Sequence, residues 1–339
     1  MSSNNTYIPL IKTEFVHEVA KLLEESNTCA QSLIEMVNAP SDIQRQTPSY
    51  LPESILQNVI FKIGQDNSIE QFIIKVRRAC ITSYVPRLLR ELSLTPKSTV
   101  REAIYKLCSF VNSYVSNNTE LKLEKYYDSY WLARYKSGVN EPWYKYSEIF
   151  SIIFMDVLIE ILTKEESRLR FASIKNSEST VYFDCCYLNH VQIYTNRSAT
   201  AIKIDNSVLE RPLSFMTDNI NRNIQLPPPI PKDFLTTFKI AIKPYLTFGR
   251  IPISQVKNIL NIEVRTLQRE LNKFGVTFTE IIEEIILGNC LHLLANSNLP
   301  ITDIATSAGY ADTANFTRFI RRKIGCSPSK YRQYQIKCQ

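Results

Sequence analysis

The sequence predicts an α+β N-terminal domain of mixed helices and a small antiparallel or mixed sheet, then an all-α C-terminal domain. In the second domain two helix-turn-helix subdomains are joined by a linker helix. Three observations carry this. Apolar residues recur at three- and four-residue spacing along most of the chain, interrupted in its middle by short β-like runs. Pro227, Pro228, Pro229 and Pro231 crowd five positions, where no helix can continue. Charge divides at the same place: residues 1–231 carry 25 Lys+Arg and 25 Asp+Glu, whereas residues 232–339 carry 15 and 8. The boundaries expected are therefore 1–224 for the first domain, 225–232 for a semi-rigid linker and 233–339 for the second domain.

In the N-terminal part the spacing predicts helices over 14–38, 54–63, 69–92, 98–115 and 147–164. In the first, Phe15, Val19, Leu22, Leu23, Leu33, Ile34 and Val37 share a face. Pro86 is expected to break or kink the third. Ser98-Thr-Val-Arg-Glu102 offers an N-cap with a carboxylate in the first turn. Leu121–Tyr126 and Tyr130–Lys136 flank an Asp-Ser turn and predict a hairpin. The runs 168–174, 179–184, 199–204 and 207–210 read as short strands.

Several functional classes are disfavoured. No stretch of about 18 apolar residues predicts a membrane span. The first residues lack the basic and apolar regions of a signal peptide, so a cytoplasmic protein is expected. Eight cysteines, at 29, 80, 108, 185, 186, 290, 326 and 338, form no CxxC pair. The histidines at 17, 190 and 292 are far apart, so no metal site and no cofactor is expected. Cys185-Cys186 near His190 is the one hint of thiol chemistry, and it lacks a nucleophile–base pattern. A thiol-dependent enzyme fused to a DNA-binding domain is thus an alternative of low weight, and no catalytic residue is assigned.

Residues 126–146 are rich in aromatics and hold both tryptophans. Tyr126, Tyr130, Trp131 and Trp143 are candidates to line a pocket for a small apolar or ring-containing effector. The alternative is ordinary core and amphipathic surface.

Beyond the prolines the pattern is helical and repeats itself. Residues 254–271 and 302–320 each read as an apolar helix, a break, and a helix that begins with small or polar residues. Val256 and Leu260 correspond to Ile304 and Ala308, and Leu267 and Leu271 to Phe316 and Ile320. Asn261 corresponds to Gly309, a position that wants positive φ. These are two helix-turn-helix motifs, at about 253–273 and 301–323. Thr279 to Asn296 reads as one connecting helix of about 27 Å, close to the spacing of about 34 Å between successive major-groove faces. The net +7 of this domain suits a polyanionic partner.

These residues resemble the AraC/XylS family of bacterial transcription regulators. The likeness runs through Ile304-Ala305, Gly309-Tyr310, Asp312, Phe316, Arg318-Phe319, Arg322, Gly325, Ser327-Pro328 and Tyr331-Arg332. In the first unit it covers Val256, Leu260, Arg265-Thr266-Leu267, Arg269, Leu271 and Gly275. Lys257, Asn261, Glu263 and Ile286 depart from the family pattern, which commonly has Ala, Gly, Ser and Arg there. More weakly, the helices through residue 164 and the segment 180–215 resemble the sensor domain of a subgroup often labelled arabinose-binding-like. Only Gly64 and Gly138 occur before the linker, fewer glycines than that domain usually has.

The resemblance implies a transcription regulator or activator whose N-terminal domain senses a signal or dimerises. Helix position then nominates the groove-facing residues: Val264, Arg265, Gln268 and Arg269 in the first head, and Thr313, Asn315, Thr317 and Arg318 in the second. Arg322, with Arg321 and Lys323, is expected at phosphates. Double-stranded promoter DNA is the implied partner, with RNA polymerase, a second copy of the chain and a small effector as further candidates. The competing reading is an interaction protein whose N-terminal domain dimerises without a ligand.

Overall fold

The computed structural model describes residues 7–24, 39–40, 48–95, 97–166, 169–178, 185–214, 228–247 and 249–338. The run expected at 179–184, residues 25–38 of the first expected helix, and the start of the proline linker lie outside them. Backbone contacts divide the chain into two compact units, dominated by Pro52–Pro231 and by Lys232–Gln339. The first mixes helices with a small sheet and the second is helical, an α+β region followed by an all-α region. No helix among the described residues is long and apolar enough to cross a membrane.

The N-terminal unit opens with α1 (Thr13–Glu24), which buries Phe15, Val16 and Val19. Arg87 ties it down from another helix, donating to Glu14 at 2.8 Å and Glu18 at 2.9 Å. Helix α2 (Glu53–Gln65) follows, then α3 (Ile69–Ala79), whose capping box pairs Ser68 with Gln71. Pro86 does not break the helix expected over 69–92. A π turn, Cys80–Tyr84, leads from α3 into α4 (Val85–Arg90). Widening to i→i+5 bonding accommodates the residue that has no N–H, because it relieves the ring's clash with the carbonyl four residues back. Helix α5 (Val100–Phe110) is capped by Thr99, one residue beyond Ser98, with Glu102 closing the box.

Two strands, β1 (Glu120–Tyr126) and β2 (Ser129–Tyr135), form the expected hairpin. Tyr126 pairs with Ser129, so the turn residues are Tyr127 and Asp128, and Tyr127 carries the positive φ of 52°. The sheet is completed by β3 (Phe171–Ser173), β4 (Gln192–Tyr194) and β5 (Thr200–Ile204), in the order β1-β2-β5-β3-β4. All its pairings are antiparallel except β3 with β4. The run 207–210 is not a strand. Asp205 ends β5, and Asn206–Leu209 turns into a short helix, α7, with the N–H groups of Val208 and Leu209 returning to the Asp205 carbonyl. Polar residues at a helix start outweigh a two-residue apolar run there.

Helix α6 (Tyr144–Thr163) runs through the middle of this unit and is buried over most of its circumference. An all-round apolar helix is a core helix. Two buried carboxylates nevertheless sit on it. Glu148 accepts from the backbone N–H of Lys175 at 2.7 Å and from the Thr200 hydroxyl at 2.8 Å, and Asp156 accepts from the Tyr187 hydroxyl. Burial raises the Glu148 pKa despite those bonds.

Candidate nucleic-acid interface

The C-terminal unit begins with α8 (Phe234–Ile242) and then presents two helix pairs around a connecting helix. The first pair is α9 (Ile253–Leu260) and α10 (Val264–Asn272). Asn261 ends α9 in the left-handed region, φ 51° and ψ 47°, and its N–H returns to the Lys257 carbonyl. Asn tolerates this conformation better than other residues bearing a Cβ. Val256, Ile259 and Leu260 of α9 are buried with Leu267 and Leu271 of α10, so the opposite face of α10 is left to solvent.

The second pair is α12 (Ile301–Ser307) and α13 (Thr313–Ile324), separated by Gly309 at φ 78°. Asp312 caps α13, accepting from the Asn315 N–H at 2.6 Å. Ile304, Ala305, Phe316, Phe319 and Ile320 are buried, and Tyr310 packs edge-on to Phe316 with ring centroids 5.6 Å apart. Between the pairs runs α11 (Phe278–Asn296), opened by a capping box of Thr277 and Glu280. Its 19 residues span about 28 Å. Ile286, one of the departures from the family pattern, is buried in it. A final helix, α14 (Pro328–Cys338), packs against α11, and Arg332 donates to the carbonyls of Leu294 at 3.3 Å and Leu299 at 2.7 Å. Arg332 therefore closes the C-terminal end of α11.

On α10, Arg265, Gln268 and Arg269 are exposed and Val264 is half-buried. On α13, Asn315 and Arg318 are exposed while Thr313 and Thr317 are half-buried. Arg265, Gln268, Arg269, Asn315 and Arg318 lie away from the buried seams, whereas Val264 and Thr313, three residues before buried Leu267 and Phe316, border them. Two candidates on α13 are tied to each other: Arg318 donates to Asn315 Oδ1 at 2.5 Å, while the Asn315 amide group donates to Asp312. Arg269 lies 3.4 Å from Glu270. Arg321, Arg322 and Lys323 are all exposed at the end of α13.

One polar cluster has no counterpart in the sequence pattern. Glu283 of α11 lies 2.9 Å from Arg250, 2.9 Å from Lys323 and 3.9 Å from Arg322. It joins the segment before α9 to the end of α13 through the connecting helix. Gly249, the residue before Arg250, touches the turn of the second pair: a Cβ built on it would stand 2.7 Å from the Cα of Gly309. The two helix pairs are thus linked by backbone contact as well as by charge.

The aromatic candidates of the N-terminal unit do not converge. Tyr126 is 67% exposed at the hairpin tip. Tyr130 lies under the Arg101 guanidinium, 4.3 Å from the ring centroid. Trp131, on the other face of β2, packs on Ala133, Ala199 and Ala201 and meets Tyr194 edge-on. Trp143 lines a partly open cavity. Cys185 is buried, Cys186 and His190 are exposed, and no hydrogen bond joins a thiol to His190 among the described residues. No group of three or more His, Cys, Asp or Glu that could hold a metal occurs among the described residues.

Residues 257–334 match a family model described as a helix-turn-helix domain. The chain is also similar, over part of its length, to curated regulators. It is 31% identical over 81 residues to the ornithine utilization regulator of Pseudomonas aeruginosa, 24% of each chain. It is 37% identical over 73 residues to the HTH-type transcriptional activator RhaS of Escherichia fergusonii, 21% of this chain and 26% of that one. It is 38% identical over 66 residues to the HTH-type transcriptional regulator ExsA of P. aeruginosa, 20% of this chain and 24% of that one. The matches span about a quarter of the length of these relatives. Among solved structures, the transcriptional regulator CdpR of P. aeruginosa aligns over 94% of this chain and 97% of its own, with 15% identity and a TM-score of 0.37. A superposition that loose does not establish a common fold.

Proposed function

We propose that this chain, whose residues 257–334 are an AraC-type helix-turn-helix domain, is a sequence-specific DNA-binding transcription regulator that responds to a signal through its N-terminal unit. The observation that supports it best is the pair of short helices, α10 and α13, each with an exposed basic and amide face over a buried apolar seam. Together they present Arg265, Gln268 and Arg269 on one head and Arg318 on the other. Arginine pairs with guanine at two points and glutamine with adenine, so these side chains read base edges in adjacent major-groove segments. Val264, Thr313, Asn315 and Thr317 complete the reading faces. Arg321, Arg322 and Lys323 contact phosphates and set affinity rather than sequence. The excess charge of the C-terminal part draws the unit to DNA.

The test is a binding-site selection with the full chain, followed by footprinting on the selected sequence. Protection over about two helical turns is expected. Arg265→Ala and Arg318→Ala should each cost about 1–3 kcal/mol of binding, with selectivity relaxed at one position apiece. No protected site, or unchanged binding by both variants, overturns the reading.

A further inference from the structure

The N-terminal unit holds a buried cation that forms no direct ion pair with a carboxylate among the described residues. Arg134 lies on β2 with only 9% of its surface exposed. Its guanidinium donates to Ser147, to the carbonyl at 3.3 Å and to the hydroxyl at 2.7 Å, both neutral acceptors. No carboxylate among the described residues forms an ion pair with it. Two residues along the same face, Lys136 is also buried, but it pairs with Glu53. Glu53 is fully engaged: it also accepts from the Ser116 hydroxyl at 3.1 Å and the Asn118 amide at 2.7 Å.

Glu53 and Glu148 act on Arg134 through space, without a hydrogen bond to it. Glu148 is the other buried carboxylate here, and Lys175 donates to the Lys136 carbonyl at 2.9 Å. Of the charged groups that line the adjoining cavity, Arg134 and Lys136 are cations and Glu53 is a carboxylate, so its wall carries one cation in excess. Burial holds the Arg134 guanidinium below its ordinary pKa and pushes Lys136 down to about 8. A buried guanidinium hydrogen-bonded only to neutral acceptors gains when a carboxylate pairs with it directly.

Arg134 and Lys136 border a cavity of about 90 Å³. The rest of its wall is mostly aliphatic and aromatic, with Ile60, Leu88, Val111 and Phe154 among the side chains. A single water needs roughly 10–15 Å³ on this measure, so the space holds on the order of six non-hydrogen atoms. Inorganic phosphate would leave the apolar wall without a partner and bring more charge than the single excess cation offsets. A monocarboxylate matches both, because an arginine binds a carboxylate through two parallel hydrogen bonds.

We propose that this cavity is a binding site for a short-chain monocarboxylate, with the carboxylate on Arg134 and the hydrocarbon end against the apolar wall. Calling that ligand an effector rests on the regulatory reading above; the binding does not.

The experiment uses the full chain and titrates sodium acetate, butyrate and hexanoate by calorimetry and thermal shift. Butyramide, 1-butanol and sodium phosphate at matched ionic strength are the comparison ligands. At least one carboxylate should bind saturably and raise Tm, while the neutral isosteres and phosphate do not. Arg134→Gln should weaken that carboxylate tenfold or more, with Arg134→Lys intermediate. If the Gln variant does not fold, the comparison of butyrate with butyramide on the unaltered protein still decides. Equal binding of the amide, preference for phosphate, or no carboxylate binding at 20 mM overturns the proposal. Carboxylate binding that leaves affinity for the selected DNA unchanged keeps the site and removes its role as a switch. Absence of any selected DNA overturns the proposed function without touching the site.

Discussion

Lys257 Nζ lies 3.0 Å from Glu263 Oε1, across the turn of the first helix-turn-helix. Lys257 and Glu263 are two of the residues that depart from the family pattern, and the structure pairs them with each other. The pair is exposed, at 44% and 71% of side-chain surface, so it contributes little stability. Its consequence is electrostatic. Glu263 stands at the N-terminus of α10, the end that the proposed DNA binding would bring towards phosphate, and makes no side-chain cap to that helix. Asp312, at the same place in the second head, does.

Glu263→Ser should therefore tighten binding to the selected DNA, by about three- to tenfold at low salt, as Lys257 is freed and a negative charge is removed. A serine there can also accept from the first turn, stabilising the helix by roughly 0.5–1 kcal/mol. Equilibrium binding over a salt series checks it. The slope of log K against log salt should steepen. Unchanged affinity would show that the first head does not approach the backbone at this point.

The turn of the second head admits little change. Gly309 has φ 78°, and a Cβ there would stand 3.0 Å from the Gly249 Cα. Gly325 has the same φ of 78° with nothing within 4 Å of a built Cβ. Gly309→Ala should then cost more than Gly325→Ala, about 2–4 kcal/mol against about 1 kcal/mol, since only the first adds a backbone clash to the left-handed strain. Thermal unfolding of the two variants side by side is the measurement. Equal losses would mean that the Gly249–Gly309 approach is not tight.

What the sequence made legible was local. The left-handed Asn261, the two helix pairs and the connecting helix all follow from residues within one or two turns of each other. The exposed faces of α10 and α13 followed from the spacing of Leu267 and Leu271 and of Phe316 and Ile320. What it hid was settled over long range. Arg250 and Lys323 meet at Glu283, from positions 33 residues before it and 40 after it. Pro86 reads as a break or a kink because nothing local announces a π turn. Three-residue β4 is too short for any alternation to show, and Val208-Leu209 looked extended until Asp205 ended the strand before it. Arg134 gave no signal, because an arginine among tyrosines and alanines on a strand reads as surface.

The Glu53–Lys136 pair gives a test of the buried charge that borders the cavity. Both side chains are almost wholly enclosed, 1% and 5% exposed. Glu53→Gln leaves the Lys136 ammonium buried without its counter-charge, which costs about 3–5 kcal/mol. Replacing both, as Glu53→Leu with Lys136→Met, removes the charges together and should recover most of that loss. Urea unfolding followed by tryptophan fluorescence reports on this unit directly, since the two tryptophans of the chain, Trp131 and Trp143, both lie in it. A single variant within about 0.5 kcal/mol of the unaltered protein would show that water reaches the pair.

Glu283 supplies a pH dependence to the C-terminal unit. Its hydrogen bond from Lys323, with a further one from Arg250, holds its carboxyl below the ordinary value of 4.5. A carboxyl depressed in the folded state binds fewer protons there than in the unfolded chain. Its contribution is complete above the ordinary value and is lost as pH falls through the folded one. Its partners Arg250 and Lys323 are 47% and 33% exposed, so solvent screens them and the gain at neutral pH is about 1 kcal/mol or less. Glu283→Gln should lower Tm slightly at pH 7 and converge on the unaltered protein as pH falls well below 4.5. Parallel Tm curves over that range would rule out titration of Glu283 as the link. The same variant loosens the charged tie between the Arg250 segment and the end of α13. Affinity should then fall more for DNA carrying both half-sites than for a fragment carrying one, which a pair of titrations at fixed salt resolves.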